Sequence, residues 1–475
     1  MNSSPPPLQL NHGIVKPGKH FLALLILVQI GFSIPILLEE YVLAIVLLFG
    51  ILALFFVYNH PTNGLILLPL FLYLPFSIPG LGGIQFSEIG TFFVILSLIF
   101  ALVATRSNFE FEAPALLPLA FILVAAVLSV INARYVFASV KNILKFVEAF
   151  LLIFWLTATF VTKKETILKI FNSFLVAGVV AAVIGIYRYM EGYETRVFGL
   201  QGGGFGAYIG VSSLIALDIL ILAKANVKKL LALLVLILFI AALILSQTRA
   251  WLLATILAML FMITRIGSKK KSLGFAVMIM VLVTVVYVAL SSDFFPTNQQ
   301  QLISAGAEKA LQTGFGPEDT VGKYVSILMR VFIWIHGFSL YMQNPVLGFG
   351  IGNLRFKNFF TGELGPPSDP NVGYVDNHWL NVLYETGVLG IIGWVALAAL
   401  VFKCCKTIIK SSTSPEWKLI TLPLAGSMII FLVGSIFWAL TVVHEMTVLI
   451  PFLMGLIFAS MKILQNQDEN PLRQR

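Results

Sequence analysis

Apolar runs long enough to cross a lipid bilayer recur from one end of this chain to the other. A membrane-spanning helix needs about 20 mostly apolar residues, because the hydrocarbon core is about 30 Å thick. Of the 475 residues, 59% are hydrophobic and only 11% are charged. A soluble domain does not have this balance. The sequence therefore predicts an all-α fold, a polytopic helical membrane protein with about fourteen transmembrane helices.

The predicted spans follow one another closely except for one long gap before the last three. They are 21–38, 41–58, 64–79, 89–105, 114–131, 138–161, 167–189, 207–223, 230–248, 250–265, 272–290, 379–402, 418–438 and 445–462. An even count puts both termini on one side, and short cytoplasmic loops are enriched in Lys and Arg. The basic clusters at 163–164, 228–229 and 269–271 indicate that both termini are cytoplasmic.

This topology divides the chain into tails, helices and one long outward-facing loop. Residues 1–20 and 463–475 are predicted cytoplasmic tails, 21–290 hold helices one to eleven, 291–377 form the periplasmic loop, and 378–462 hold helices twelve to fourteen. Within the loop, 321–342 combines apolar residues with charges, which predicts an amphipathic helix lying on the outer face. A loop of this length is usually functional.

Polar side chains gather where this loop ends and the next predicted helix begins. Asn377 and His378 open the helix, and Asn381 and Glu385 follow. The spacing puts His378, Asn381 and Glu385 on one helical stripe. Such groups are costly at membrane depth and are usually functional there. The alternative is a capped helix start with a histidine in the membrane interface.

Glycines recur every three residues in the same predicted helix, at Gly387, Gly390 and Gly393. Small residues at a membrane interface let a neighbouring helix approach closely. The pattern predicts a tight helix–helix contact along this face.

Arginines outside the cytoplasmic clusters are candidate anion ligands. Arg249 lies in the turn Ser246-Gln-Thr-Arg between two predicted spans, Arg196 lies in a glycine-rich outward loop, and Arg330 and Arg355 lie in the long loop. A planar guanidinium binds phosphate or carboxylate through two hydrogen bonds. The alternatives are snorkelling to lipid headgroups, a structural ion pair, or simple solvation of the loop surface.

Two further polar groups allow two interpretations each. Lys141, Lys145 and Glu148 share one face of the sixth predicted span, either as a structural seam or as part of a substrate path. His444-Glu445 precedes the last span, either as a second site or as an interface anchor.

The motifs of several chemistries are missing from the sequence. It has no Gly-x-x-x-x-Gly-Lys phosphate loop and no His-Glu-x-x-His or Cys-x-x-Cys metal spacing. We therefore predict no metal and no cofactor. The net charge of +9 is explained by the cytoplasmic loops, so we predict no nucleic-acid partner.

An enzyme on the outer face has no nucleotide-activated substrate to hand, so its donor must arrive already activated. The simplest such donor is attached to a lipid carrier through a pyrophosphate. Arginines can neutralise the charge that develops on a leaving pyrophosphate. A histidine, with an unperturbed pKa of about 6.5, suits the general base that an attacking hydroxyl needs. His378 is the candidate for this role.

Taken in order, these motifs resemble the O-antigen ligase superfamily, which includes lipopolysaccharide O-antigen ligases and related O-antigen and exopolysaccharide polymerases. The likeness is carried by the Arg196 loop, the Ser246–Arg249 turn, Asn344-Pro-Val-Leu-Gly-Phe-Gly-Ile-Gly-Asn353, and Asn377-His378 through Glu385-Thr-Gly-Val-Leu-Gly. The resemblance implies a metal-independent glycosyltransferase in the bacterial inner membrane with its active site facing the periplasm.

The resemblance also implies residue roles and substrates. Arg196 and Arg249 would bind the pyrophosphate of an undecaprenyl-linked glycan, and His378 would activate the acceptor hydroxyl. The accessory candidates are Arg330, Arg355, Asn377 and Glu385, of which Arg330 and Glu385 would be mainly architectural.

The acceptor separates the two activities within this resemblance. A ligase transfers the glycan to lipid A-core sugar, whereas a polymerase transfers it to a second lipid-linked glycan. A small-solute or anion transporter and a non-catalytic assembly scaffold are the alternatives of other classes.

Overall fold

The structure is a computed structural model that describes part of the chain. It describes residues 61–73, 86–105, 113–192, 197, 204–246, 248–265, 284, 334–335, 337–354, 377–411, 414–438, 440 and 444–469. The predicted spans at 21–38 and 41–58 lie outside these residues, as does 272–290 apart from residue 284. Arg196, Arg330 and Arg355 also lie outside them.

Within the described ranges the regular secondary structure is entirely helical. In chain order the helices are α1 Pro61–Tyr73, α2 Phe86–Thr105, α3 Ala113–Ser129, α4 Val136–Phe146, α5 Phe154–Phe160, α6 Lys164–Met190, α7 Phe205–Leu222, α8 Asn226–Leu245, α9 Arg249–Thr264, α10 His378–Ser411, α11 Pro415–Phe437 and α12 His444–Glu469. A 3-10 turn, Val130–Asn132, follows α3, and a π-helical segment, Val147–Ile153, joins α4 to α5.

The apolar character of these helices agrees with a multi-pass membrane protein. In the described part of the chain, eight helices are long and apolar enough to cross a membrane, and three shorter apolar helices accompany them. The helical class predicted from hydropathy is confirmed. The total of about fourteen spans and the division into tails and loops stay predictions.

Helix α10 is interrupted at Gly387. This residue has φ 65° and ψ −163°, a backbone conformation that is essentially restricted to glycine. An interruption leaves the carbonyls before it and the amides after it without their helical partners. Inside a membrane protein such groups need partners from the protein itself.

Residues 344–354, which we call the docking loop, supply those partners. The Phe349 amide donates to the Tyr384 carbonyl at 2.9 Å, and the Gly350 amide donates to the Glu385 carbonyl at 3.0 Å. After the break, the Val388 amide donates to the Pro345 carbonyl at 2.8 Å. The loop therefore completes the backbone hydrogen bonding that the helix lacks.

The docking loop also binds the connection between α3 and α4. Asn353 donates through Nδ2 to the Ser139 hydroxyl at 2.7 Å and accepts the Tyr135 amide at 2.8 Å. The Ser129 hydroxyl accepts the Ile351 amide at 3.1 Å, and Asn132 donates to the Gly348 carbonyl at 3.0 Å. These bonds hold α3, α4 and α10 to one another through a single loop.

Only the end of the predicted amphipathic helix can be compared with the structure. Residues 337–341 are helical and a series of turns follows from 342, which agrees with the predicted helix end near Asn344-Pro345. The earlier part of the predicted helix lies outside the described residues, apart from 334–335.

The three glycines of α10 have different roles, which corrects the prediction of one shared helix contact. Gly393 does lie against another helix, because a Cβ there would come within 2.6 Å of the Ile122 side chain in α3. A Cβ at Gly390 would instead meet Thr386 of the same helix, and one at Gly387 would overlap the Val346 backbone. Periodic glycines cannot by themselves distinguish a packing face from a helix break.

We expect Gly387→Ala to destabilise the protein. The substitution forces a side chain into a glycine-only conformation, at a cost of about 1–3 kcal/mol, and its Cβ overlaps the docking loop. Thermal unfolding of the purified protein in detergent, followed by tryptophan fluorescence, should give a Tm several degrees below wild type. Val388→Ala, at the exposed neighbouring position, is the control. An unchanged Tm for Gly387→Ala would contradict the role of the break.

Candidate functional site

His378 opens α10 as a buried and unpaired imidazole. Its side chain is 1% exposed and meets the Trp394 ring edge to face, with the ring centroids 4.7 Å apart. Neither ring nitrogen has a hydrogen-bond partner among the described residues. Leaving buried polar atoms without partners costs free energy, so native proteins rarely do it without a purpose. Both nitrogens are therefore available to a bound molecule.

Asn377 fixes the start of this helix. Its side-chain oxygen accepts the Leu380 amide at 3.1 Å, which is the geometry of an N-terminal cap. The cap determines where α10 begins and so positions His378 on its first turn. The structure thus assigns Asn377 a local role in shaping the helix.

Asn381 and Glu385 face a polar cavity of about 70 Å³. Its other polar side chains are Thr386 of α10, Asn142 and Lys145 of α4, and Thr447 of α12. Asn381 is 3% exposed, and its side-chain oxygen has no hydrogen-bond partner in the described structure. The cavity therefore contains a buried acceptor that a ligand can satisfy.

His378 lines a second cavity, of about 80 Å³, that is almost entirely apolar. Its walls come from α10, α11 and α12 and include Leu397, Met428, Phe431 and Ile450. A site of this composition suits a hydrocarbon chain. The predicted stripe is therefore divided between two cavities, since Asn381 and Glu385 line the polar one and His378 lines the apolar one.

Trp394 lies between these two cavities and lines both. Its ring packs edge to face on His378 and also on Phe150 of the π-helical segment, with the latter centroids 5.2 Å apart. This role could not be predicted from sequence, because a tryptophan in an apolar helix looks the same as a membrane-interface anchor.

Arg249 is the first residue of α9, and its side chain is exposed. The turn before it is held by a 2.6 Å hydrogen bond between the Ser246 and Thr248 hydroxyls. Within the described ranges the Arg249 guanidinium takes part in no ion pair. The structural ion pair considered from the sequence is therefore not seen, and the guanidinium is accessible to an anion.

Helix α11 connects the Arg249 and His378 segments through adjacent residues. Ser435 accepts the indole N–H of Trp379 at 3.0 Å, next to His378 in sequence. Gly434 leaves the space in which the buried Trp251 ring packs, two residues after Arg249. Two candidate residues that are 129 positions apart in sequence thus belong to segments fixed to the same turn of α11.

Two of the charged residues for which the sequence allowed two interpretations form contacts between helices. Lys145 pairs with Glu88 of α2 at 3.4 Å, whereas Lys141 is exposed. Glu445 is buried and accepts the Ser87 hydroxyl at 2.8 Å. His444 is also buried, which favours a role inside the helix bundle for His444-Glu445 over an interface anchor. Spacing along one helix could not reveal Ser87 and Glu88, which lie on a different helix.

The remaining predicted site residues are untested by the structure. Arg196, Arg330 and Arg355 lie outside the described residues, so their roles stay predictions. Over the described part of the chain, no cluster of three or more His, Cys, Asp or Glu side chains has the arrangement of a metal site.

Comparison with known protein families supports the same region of the chain. No curated protein matches the chain. A family model described as O-antigen ligase matches residues 232–395, which run from α8 to the middle of α10. The matched region contains the Arg249 turn, the docking loop, His378 and Trp394. This match confirms the resemblance of the chain to the O-antigen ligase superfamily over residues 232–395.

Proposed function

We propose that this protein transfers a glycan from a lipid pyrophosphate to an acceptor hydroxyl at the periplasmic face of the bacterial inner membrane. The observation that carries the proposal is His378, whose two ring nitrogens are buried and unpaired at the edge of an apolar cavity. The O-antigen ligase match over the residues around it supports the same chemistry.

The donor fits this arrangement through its lipid. The pyrophosphate-proximal end of an undecaprenyl chain can lie in the apolar cavity between α10, α11 and α12, and the rest of the chain stays in the lipid bilayer. The pyrophosphate at the head of the lipid then lies towards the outer end of the helices. Arg249, and Arg196 by the resemblance, neutralise its charge.

The reaction needs one base and one anion site. His378 accepts the proton of the acceptor hydroxyl, and the oxygen forms a bond to the anomeric carbon of the donor sugar. The bond from that carbon to the pyrophosphate oxygen breaks, and the lipid pyrophosphate leaves with the electron pair. Guanidinium groups stabilise the negative charge that develops on it, so the proposed reaction requires no metal ion.

A transporter would also use an interrupted helix, because exposed backbone groups at a break can bind a solute. Here the Tyr384 and Glu385 carbonyls and the Val388 amide are bonded to the docking loop. These backbone groups already have hydrogen-bond partners within the protein and are not available to bind a solute. This favours a transferase over a small-solute or anion transporter.

The direct test is transfer by the purified protein in nanodiscs. Undecaprenyl-pyrophosphate glycan is supplied with lipid A-core or without a second acceptor, and no nucleotide or metal is added. Transfer to lipid A-core would identify a ligase, and chain growth without lipid A-core would identify a polymerase. A folded protein that forms neither product contradicts the proposal and favours the transporter or the scaffold.

We expect His378→Ala to lower the transfer rate by about 10²–10⁴-fold, the usual contribution of a general base. Its Tm should fall but the protein should still fold, because the substitution removes the buried ring contact with Trp394 and no described hydrogen bond. Ile392→Ala, on the exposed side of the same helix, is the control and should retain full activity. Wild-type transfer by His378→Ala would rule out the histidine as the base.

The proposed orientation can be tested with single cysteines. Phe137 and Val227 are 83% and 79% exposed and lie on opposite sides of the membrane in the predicted topology. A membrane-impermeant maleimide applied to spheroplasts should label Phe137→Cys and spare Val227→Cys. Background should be low because Cys404 and Cys405 are both buried. The reverse labelling pattern would invert the topology and put His378 on the cytoplasmic side.

A further inference from the structure

The polar cavity beside α10 has an unsatisfied buried group that the transfer chemistry does not use. Asn381 is more than nine-tenths buried, and its unpaired oxygen belongs to a residue that lines this cavity. Asn142 and Thr447 add an amide and a hydroxyl from two other helices. Three helices thus place neutral hydrogen-bonding groups around one space.

The lining of the cavity has no excess of positive charge. Lys145 and Glu385 are its charged lining residues, and Lys145 also pairs with Glu88 of α2. A site for a phosphate or another anion would be expected to present an excess of positive charge. The lining therefore suits a neutral molecule with several hydroxyl groups.

The remaining walls are apolar and aromatic. Phe146 and Trp394 line the cavity together with Ile122 and Val382. Ligand sites commonly combine such walls with a few placed polar groups. The pyranose ring of a sugar has the matching pattern, with C–H groups on its faces and hydroxyls around its edge.

The cavity is larger than the site of a single water. Its space for the centres of water molecules is about 70 Å³, which exceeds the roughly 10–15 Å³ that one water-sized sphere occupies, so it admits a ligand of several non-hydrogen atoms.

The position of the cavity connects it to the proposed transfer site. Trp394 separates it from the cavity that His378 lines, and Asn381 is less than one helical turn from His378. Ile351, Gly352 and Leu354 of the docking loop form part of its wall. A sugar held here would lie next to the histidine.

The geometry points to a monosaccharide-binding subsite in this cavity, in which Asn381, Asn142 and Thr447 bind hydroxyls and Trp394 packs on the sugar face. The inference rests on the proposed function for the identity of the ligand as a glycan. The sugar can belong to the donor or to the acceptor, since both present the same chemistry.

Saturation-transfer NMR on the full-length protein in nanodiscs tests the subsite without requiring turnover. The probes are two free oligosaccharides without lipid or pyrophosphate, one released by mild acid from the donor and one from the acceptor of the same host. We expect saturation transfer to at least one of these oligosaccharides. The oligosaccharide that receives it shows whether the bound sugar belongs to the donor or to the acceptor. Asn381→Ala should weaken its binding at least fivefold.

The controls separate this subsite from protein damage and from catalysis. Asn172→Ala makes the same change on the exposed face of α6 and should bind like wild type, and the binding assay needs no turnover, so it is independent of catalysis. If Asn381→Ala does not fold, Asn142→Ala and Thr447→Val provide the same test.

Two results overturn the subsite: no saturation of either oligosaccharide by folded wild-type protein, or equal binding by the cavity variants. Oligosaccharide binding that depends on Asn381 in a protein without transfer activity would refute the proposed transferase and leave the subsite standing. Glycan transfer by the wild-type protein, together with oligosaccharide binding that the cavity variants do not change, would refute the subsite and leave the proposed transferase standing.

Discussion

Three backbone hydrogen bonds between the docking loop and the interrupted helix α10 are the interaction on which the candidate site depends. The carbonyls of Tyr384 and Glu385 and the amide of Val388 have no helical partners at the break, and the loop provides them. In a membrane, such groups cannot form hydrogen bonds with water instead. The break and the loop are therefore stable only together, and each explains why the other has its conformation.

The same interaction explains how residues from distant parts of the chain form two adjoining cavities. The docking loop joins α10 to α3 through Ile351 and to α4 through Asn353, and α11 joins α10 to the Arg249 segment through Gly434 and Ser435. Trp394 then closes the space between these layers. His378 is consequently buried on a rigid support, with an apolar cavity on one side and a polar cavity beyond the tryptophan.

The helical membrane class could be predicted from sequence, because hydropathy reflects the bilayer directly. The polar start of α10 was also recognisable, since Asn377, His378, Asn381 and Glu385 stand out against an apolar background. The break at Gly387 was not, because a glycine repeat reads the same whether it packs against a helix or ends one. The Lys145–Glu88 pair and the role of Trp394 depend on which helices become neighbours, and spacing within one helix does not contain that information.

The π-helical segment Val147–Ile153 determines how α4 before it and α5 after it are rotated relative to each other. Widening one turn by a residue rotates all that follows by about 100° relative to an unbroken α-helix. Before the segment, Asn142 and Lys145 face the polar cavity, and after it Phe154 packs on Phe458 of α12. Inserting or deleting one residue in this segment would rotate the half that faces the polar cavity relative to the half that packs on α12. The mean hydropathy that allows the helix to insert into the membrane would stay the same.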